Sequence, residues 1–248
     1  MQDGRREAVT GWVPWLGSAG GVAAGGAGLL AYAVRFPSCT LLAPSVHRGA
    51  RTRKAIALTF DDGPSESTPE LLAILARYRV PATFFQCGAN VRRLPAVARE
   101  VAAAGHEIGN HTDTHPRLDF KPRGFIAHEL AAAQESIERV TGVRPRYFRA
   151  PYGIRWFGLR EAQQRLDLTG VMWTTIALDW KWPAARIIPR LFQGAQNGAI
   201  FCLHDGRRIE TRPNIQTTLE TVTEVLPKLM EQGFHFEKVT DILCPTKN

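Results

Sequence analysis

The sequence predicts an α/β fold with a parallel sheet of about seven strands. Three observations predict it. From Lys54 onward, short apolar runs alternate with longer stretches of helical periodicity, the pattern of successive βα units. At 248 residues the chain can bury one sizeable core, and a single barrel-like domain of this length is normal. Residues able to do chemistry also follow directly on the apolar runs, at the strand ends where parallel α/β folds collect ligands.

Strands are expected at 54–60, 82–86, 106–110, 146–149, 170–177, 199–203 and 234–239. Helices fall between them. Leu94, Val97, Ala98, Val101 and Ala102 recur at helical spacing, and Gly105 closes the segment. Phe125, Ile126, Leu130, Ala133, Ile137 and Val140 form a second stripe before Gly142. Ile215, Leu219, Val222, Leu226 and Leu229 form a third, stopped by Gly233, with Pro227 predicting a kink or a break. Seven such units approach the eight of a closed barrel. No internal repeat or second core is evident, so residues 54–248 read as one domain, 37–53 as a linker and 1–36 as a separate leader.

Residues 8–34 carry no charge and are rich in Gly and Ala. Three readings fit. A signal peptide would use Arg5-Arg6, the apolar middle and Ala31-Tyr32-Ala33 as its cleavage site. An uncleaved membrane anchor of this length would span a bilayer. A flexible Gly-rich arm is the third. Lys and Arg are denser after the segment than before it, and taken literally that count places the domain in the cytoplasm.

The net charge of +8 is spread over arginines scattered among acids, which suits an acidic polymer, a membrane surface or a solvated basic face. No zinc-finger spacing or RNA-binding aromatic signature occurs, so a nucleic-acid partner is not expected. Cys39, Cys87, Cys202 and Cys244 are isolated. Cys87 and Cys202 read as buried hydrophobes, while Cys39 and Cys244 would pair only if the domain's ends meet.

Five stretches carry the chemistry. Leu58-Thr59-Phe60-Asp61-Asp62-Gly63-Pro64 ends the first strand on two adjacent carboxylates, a costly arrangement unless something pairs with them. Alone it reads as an Asp-Gly-Pro turn. His111-Thr112-Asp113-Thr114-His115 follows the third strand. Histidines four apart suit zinc, but Pro116 disfavours helical geometry at His115 and predicts a short turn. With an Asp from another strand they make a His₂-carboxylate set with open positions. Phe148-Arg149-Ala150-Pro151-Tyr152-Gly153 offers a guanidinium to a buried carboxylate and, after Pro151 in the substrate-binding turn, backbone N–H groups such as that of Tyr152 that can face an oxyanion. Leu178-Asp179-Trp180 and Phe201-Cys202-Leu203-His204-Asp205-Gly206 supply an imidazole with an Asp to hold it, and Trp180 and Leu203 as apolar walls.

Thr-Phe-Asp-Asp-Gly-Pro, His-Thr-x-x-His, Arg-x-Pro-Tyr, Asp-Trp and Leu-x-His, in this order, resemble the five motifs of the polysaccharide deacetylases, the NodB-homology group of carbohydrate esterase family 4. The resemblance covers roughly residues 54–243 and implies a distorted, incomplete (β/α) barrel. It implies metal-dependent removal of N-acetyl groups from glycans containing N-acetylglucosamine, chitooligosaccharide or peptidoglycan, with zinc, cobalt, manganese or iron as the divalent metal. It implies Asp61 as general base, Asp62, His111 and His115 as metal ligands, Arg149 orienting Asp61, the Tyr152 backbone at the oxyanion, and Asp179 supporting His204 as acid. It further implies an extracytoplasmic enzyme, secreted or membrane-anchored, and a monomer is expected. One departure stands out: the family often has a further Asp three residues before Asp179, where this chain has Ile176.

Overall fold

The computed structural model describes residues 16–244. In chain order these form α1 (Leu16–Arg35), β1 (Ser45–Val46), β2 (Ala55–Gly63), α2 (Thr68–Tyr78), β3 (Thr83–Gln86), α3 (Gly88–Arg93), α4 (Pro95–Ala103), β4 (Glu107–Asn110) and α5 (Arg123–Thr141). The second half adds β5 (Tyr147–Phe148), a 3-10 turn at Pro151–Gly153, α6 (Leu159–Leu166), β6 (Thr169–Val171), β7 (Thr175–Ile176) and α7 (Ala184–Gly194). It ends with β8 (Ala199–His204), α8 (Gln216–Glu231), β9 (His235–Glu237) and α9 (Val239–Leu243).

Every strand pairing is parallel, in the order β1-β6-β5-β4-β3-β2-β8-β7, with β9 beside the start of β2. β6 and β7 follow each other in sequence yet lie near opposite ends of this path. Residues 172–174, which join them, span at most roughly 14 Å when fully extended. The sheet must therefore curl until its ends approach. Among the described residues β7 does not pair with β1, so the curl remains an incomplete barrel.

Strand alternation sorts the core into layers. Ile56, Leu58 and Phe60 of β2 face outward with Phe201 and Leu203 of β8, under apolar residues of α2, α4, α7 and α8. Ala55 and Ala57 face inward with Phe85, Val171 and Ile200, where Val239 and Ile242 of α9 close the bottom. A third cluster packs Phe148 and Ala43 against Ile126, Leu130 and Leu159. Gly142 caps α5 in the left-handed conformation (φ 72°), as its place after the apolar stripe predicts.

Several expectations need correction. The 37–53 segment is not a linker: β1 pairs with β6, and Ala43 is buried. A two-residue strand is too short to show a periodicity. The 170–177 run divides into β6 and β7, because the chain crosses from one end of the sheet to the other between them. The described residues thus hold nine strands, close to the seven expected. Of the kink or break expected at Pro227, the break does not occur, since α8 runs on to Glu231. Cys39 carries a free thiol, so it is not bridged to Cys244.

Of the 1–36 leader, residues 1–15, including Arg5-Arg6, lie outside the described residues. Ala31-Tyr32-Ala33 belongs to α1, whose end is fixed to the domain by Arg155. The Arg155 backbone N–H bonds the Val34 carbonyl (3.0 Å), and its buried guanidinium donates to the carbonyls of Phe36 and Cys39. No helix among the described residues is long and apolar enough to cross a membrane.

Candidate active site

The five chemistry-bearing stretches meet at the carboxyl ends of the strands, around a cavity of about 680 Å³. Asp61 and Asp62 come from the end of β2, His111 follows β4, Arg149 follows β5, Asp179 follows β7, and His204 ends β8.

Alternation would send Asp61 and Asp62 to opposite faces of β2. A bulge prevents this. Asp61 pairs with Phe85 and Gly63 with Gln86, leaving Asp62 as the extra residue, in the left-handed region (φ 74°). Both carboxylates then reach the cavity. Asn90 of α3 donates to the Asp62 carbonyl (2.8 Å) and to that of Arg208 (2.7 Å), tying the bulge to the loop after β8. Gly63 completes the turn because a Cβ there would lie 2.2 Å from the Asp205 carboxylate. Gly63→Ala should therefore lower stability by about 1–3 kcal/mol through overpacking, read as a lower denaturant midpoint. An unchanged midpoint would remove this contact from the account.

Asp61 is buried and its Oδ1 accepts one N–H from Arg149 (2.7 Å). The guanidinium does not take both oxygens. The same nitrogen also donates to Thr59 Oγ1 (2.7 Å), and the other fork nitrogens serve the carbonyls of Val171 (3.0 Å) and Met172 (3.3 Å). Arg149 thus reaches across the curled sheet from β5 to β2, with its guanidinium carbon 4.2 Å from the centre of the Phe85 ring. Asp61 Oδ2 receives only the weak Cys202 thiol donor, at 3.4 Å. Burial and the Asp61 carboxylate push that thiol well above its ordinary pKa, so it stays S–H. Asp61, Cys202 and His204 do bring ligating atoms together, but a protonated thiol and an acid bound to Arg149 are poor metal donors.

Asp62, His111 and His115 form a different set, with one ligating atom from each within 4.8 Å of the others. His111 Nε2 is 3.3 Å and His115 Nε2 3.0 Å from Asp62 Oδ1. His111 Nδ1 lies 2.8 Å from the Arg149 carbonyl and must donate there. In the neutral ring the Nε2 lone pair then faces a carboxylate oxygen, acceptor against acceptor. Burial lowers the His115 pKa although Asp62 pulls it up, which favours the unprotonated ring. Donors about 2.0–2.1 Å from one cation sit roughly 3.0–3.4 Å apart, so the spacing fits a divalent metal. Asp62 Oδ2 is held by the Arg208 backbone N–H (2.8 Å).

The two histidines share no helical face. They lie on a turn, as Pro116 predicts, with positive φ at Thr112 (67°) and His115 (57°). Glu129 of α5 accepts the N–H groups of Asp113 (3.0 Å) and Thr114 (2.8 Å), and Arg92 binds both oxygens of Asp113 (2.6 and 2.9 Å).

His204 Nδ1 lies 2.8 Å from Asp179 Oδ1. Asp179 Oδ2 accepts the His204 backbone N–H (2.8 Å) and the Thr218 hydroxyl (2.6 Å). Thr218 thus buttresses Asp179 from α8. Burial opposes protonation of His204, but Asp179, Asp62 and Asp61 outweigh it and raise the pKa to about 9. Trp180 sits edge-on to His204, with ring centroids 4.6 Å apart.

One expected wall residue is displaced. Leu203 is buried in the outer core because Cys202 and His204 take the inward positions of β8, and Ile176 and Leu178 line the cavity instead. Pro151 is buried behind its turn, and Tyr152 (φ 58°) lines the cavity, its ring 4.8 Å from that of His115. Sequence reasoning missed Thr59, Asn90, Glu129, Thr218 and Asp205. Of these, only Thr59, first in Thr-Phe-Asp-Asp-Gly-Pro, and Asp205, beside His204, carried a motif signal. Asp205 is fully buried, accepts a bond from Thr68 (2.7 Å), and burial raises its pKa to about 7.

A family model described as polysaccharide deacetylase matches residues 48–171. A chitooligosaccharide deacetylase of Bradyrhizobium sp. (strain ANU 289) is 33% identical over 198 residues, covering 76% of this chain and 90% of that one. The peptidoglycan-N-acetylglucosamine deacetylase PgdA of Listeria monocytogenes serotype 1/2a (strain 10403S) is 32% identical over 210 residues, 84% of this chain. The match covers 42% of PgdA, so the chain spans under half of that relative's length. Among solved structures, a mutant with restored activity of a CE4 family pseudoenzyme from Bacillus anthracis matches with a TM-score of 0.74 and 29% identity. That match covers 82% of this chain and 73% of the other.

Proposed function

Because the chain belongs to the polysaccharide deacetylase family, we propose that it hydrolyses the acetamide of N-acetylglucosamine residues in a glycan, releasing acetate and a free amine. The observation that carries this reading is the meeting of three units in one cavity: Asp61 with one oxygen free of N–H donors, the Asp62–His111–His115 set, and the Asp179–His204 pair.

Asp62, His111 and His115 would hold the cation, and their one oxygen and two nitrogens suit zinc best, with cobalt, manganese or iron also compatible. When bound, such a cation supplies Lewis acidity toward the amide carbonyl and eases ionisation of a water. Asp61 acts as general base through Oδ2, taking the proton of the attacking water while Arg149 fixes Oδ1. The Tyr152 N–H donates to the oxygen on which negative charge builds. His204, held through Nδ1 by Asp179, presents Nε2 and protonates the departing nitrogen, which otherwise leaves very poorly. Trp180 and Leu178 wall the acetyl group. The proton gained by Asp61 and the one lost by His204 balance over the cycle.

His204 is raised to about 9, so it stays protonated through neutrality and its acid form is lost as pH climbs through that value. The alkaline limb of kcat/KM should fall there. Asp179→Asn removes the strongest upward pull, so the limb should shift toward and below the ordinary value of 6.5. A pH–rate profile checks this, and an unmoved limb would exclude His204 as the acid.

Chitooligosaccharide or peptidoglycan as substrate, and an extracytoplasmic location, accord with the relatives' activities. Acetate release from a panel of chitooligosaccharides, peptidoglycan fragments and non-sugar acetamides tests the reading. Release from the sugars supports it. Release only from non-sugar amides, or from none of the panel by metal-loaded protein, contradicts it.

A further inference from the structure

We propose that the cavity carries a subsite for an anionic substituent, a carboxylate or a phosphate, on the amino-sugar chain, lined by Arg35, Arg207 and Arg208. The subsite rests on the glycan-deacetylase reading and narrows its substrate class.

The cavity is lined by three arginines that form no ion pair with its own acids. Asp61 is bound by Arg149 (2.7 Å), Asp179 by His204 (2.8 Å), and Asp62 faces two imidazoles. Neither Arg35, Arg207 nor Arg208 forms a salt bridge among the described residues. Asp119, the acid that feels the field of Arg35, is already bound through both oxygens by Arg117 (3.1 and 2.6 Å). Glu210 is the other carboxylate on the rim, and the three cations outnumber it.

The backbone carrying each arginine is held in place, and so is the guanidinium of Arg207. Arg35 ends α1, which Arg155 fastens to the domain through the carbonyls of Val34, Phe36 and Cys39. Arg207 is tied to the carbonyls of Gly206 (2.7 Å) and Asp179 (3.2 Å), leaving its other donors uncommitted. Arg208 is anchored by its backbone N–H on Asp62 (2.8 Å), and its guanidinium carbon lies 5.6 Å from the centre of the Tyr152 ring. Guanidinium forks match carboxylate and phosphate, and the prior fixing of Arg207 reduces the entropy lost on binding. A neutral N-acetylglucosamine chain presents only hydroxyls and amides, which need no such cluster. At about 680 Å³ the cavity has room beyond one acetamide.

The test uses three probes of equal length on the full chain: chitotetraose, its reducing-end aldonate, and its reducing-end phosphate. At low ionic strength kcat/KM and affinity should favour at least one anionic probe on the order of tenfold, and salt should erode that preference. Preference for the aldonate identifies a carboxylate site, and preference for the phosphate a phosphate site. Arg35→Gln and Arg207→Gln should each shrink the preference through KM. Arg139→Gln, on the exposed face of α5, removes the same net charge and should leave it intact. Equal handling of all three probes, a preference that survives both rim variants, or failure to bind any probe overturns the subsite. Calorimetric titration with the same probes separates the two readings. Anion-selective binding without acetate release retains the subsite and refutes the deacetylase reading.

Discussion

Asp61→Asn will cut turnover by roughly 10²–10⁴-fold, the span that removing a general base produces, while metal content stays at the wild-type level. The amide is isosteric and its oxygen can still accept the Arg149 N–H that now reaches Oδ1, so the fold around it should persist. What is lost is the proton-accepting oxygen, the one left with only the Cys202 thiol at 3.4 Å. Metal analysis on the variant, beside single-turnover kinetics, checks both halves. A variant that loses its metal would place Asp61 among the ligands, and one that keeps its turnover would remove it as base.

The same substitution one residue later should have the opposite signature. Asp62→Asn will lower metal affinity by more than the roughly 10–100-fold typical of outer-sphere changes, and turnover will fall with occupancy. Asn is the right replacement because Asp62 sits at φ 74°, a conformation Asn tolerates better than Ala. Backbone strain is thereby kept out of the comparison. Without its charge, the oxygen 3.0 and 3.3 Å from the two imidazoles becomes a weak neutral donor. Equilibrium dialysis against zinc measures the loss. Wild-type affinity in this variant would mean that the metal lies elsewhere.

The contrast between these neighbours depends on the bulge in β2, which marks the boundary of what the sequence made legible. The motif residues themselves were readable because each follows an apolar run, and parallel sheets bring such ends to one edge. The bulge was not, since two adjacent acids look the same whether or not the strand's alternation is interrupted. Leu203 was misplaced for a related reason. Its neighbour His204 faces inward, and strand alternation then sends Leu203 outward to Phe60 and Phe201. Thr218, Glu129 and Asn90 left no signature, because each acts from a helix on a segment whose shape only the fold defines. Ser45–Val46 escaped notice because a two-residue strand carries no pattern, yet it adds an edge to the sheet. Arg155 looked like any arginine beside a turn, and its burial beneath the end of α1 emerges only in three dimensions.

The most direct test is a stoichiometric one: acetate and free amine released from a chitooligosaccharide by the chain before chelation, after chelation, and after zinc is restored. The account predicts equal amounts of the two products, their disappearance with the metal, and their return with it. Release that persists in metal-free protein, or acetate without a matching amine, would contradict metal-dependent hydrolysis of the sugar's acetamide.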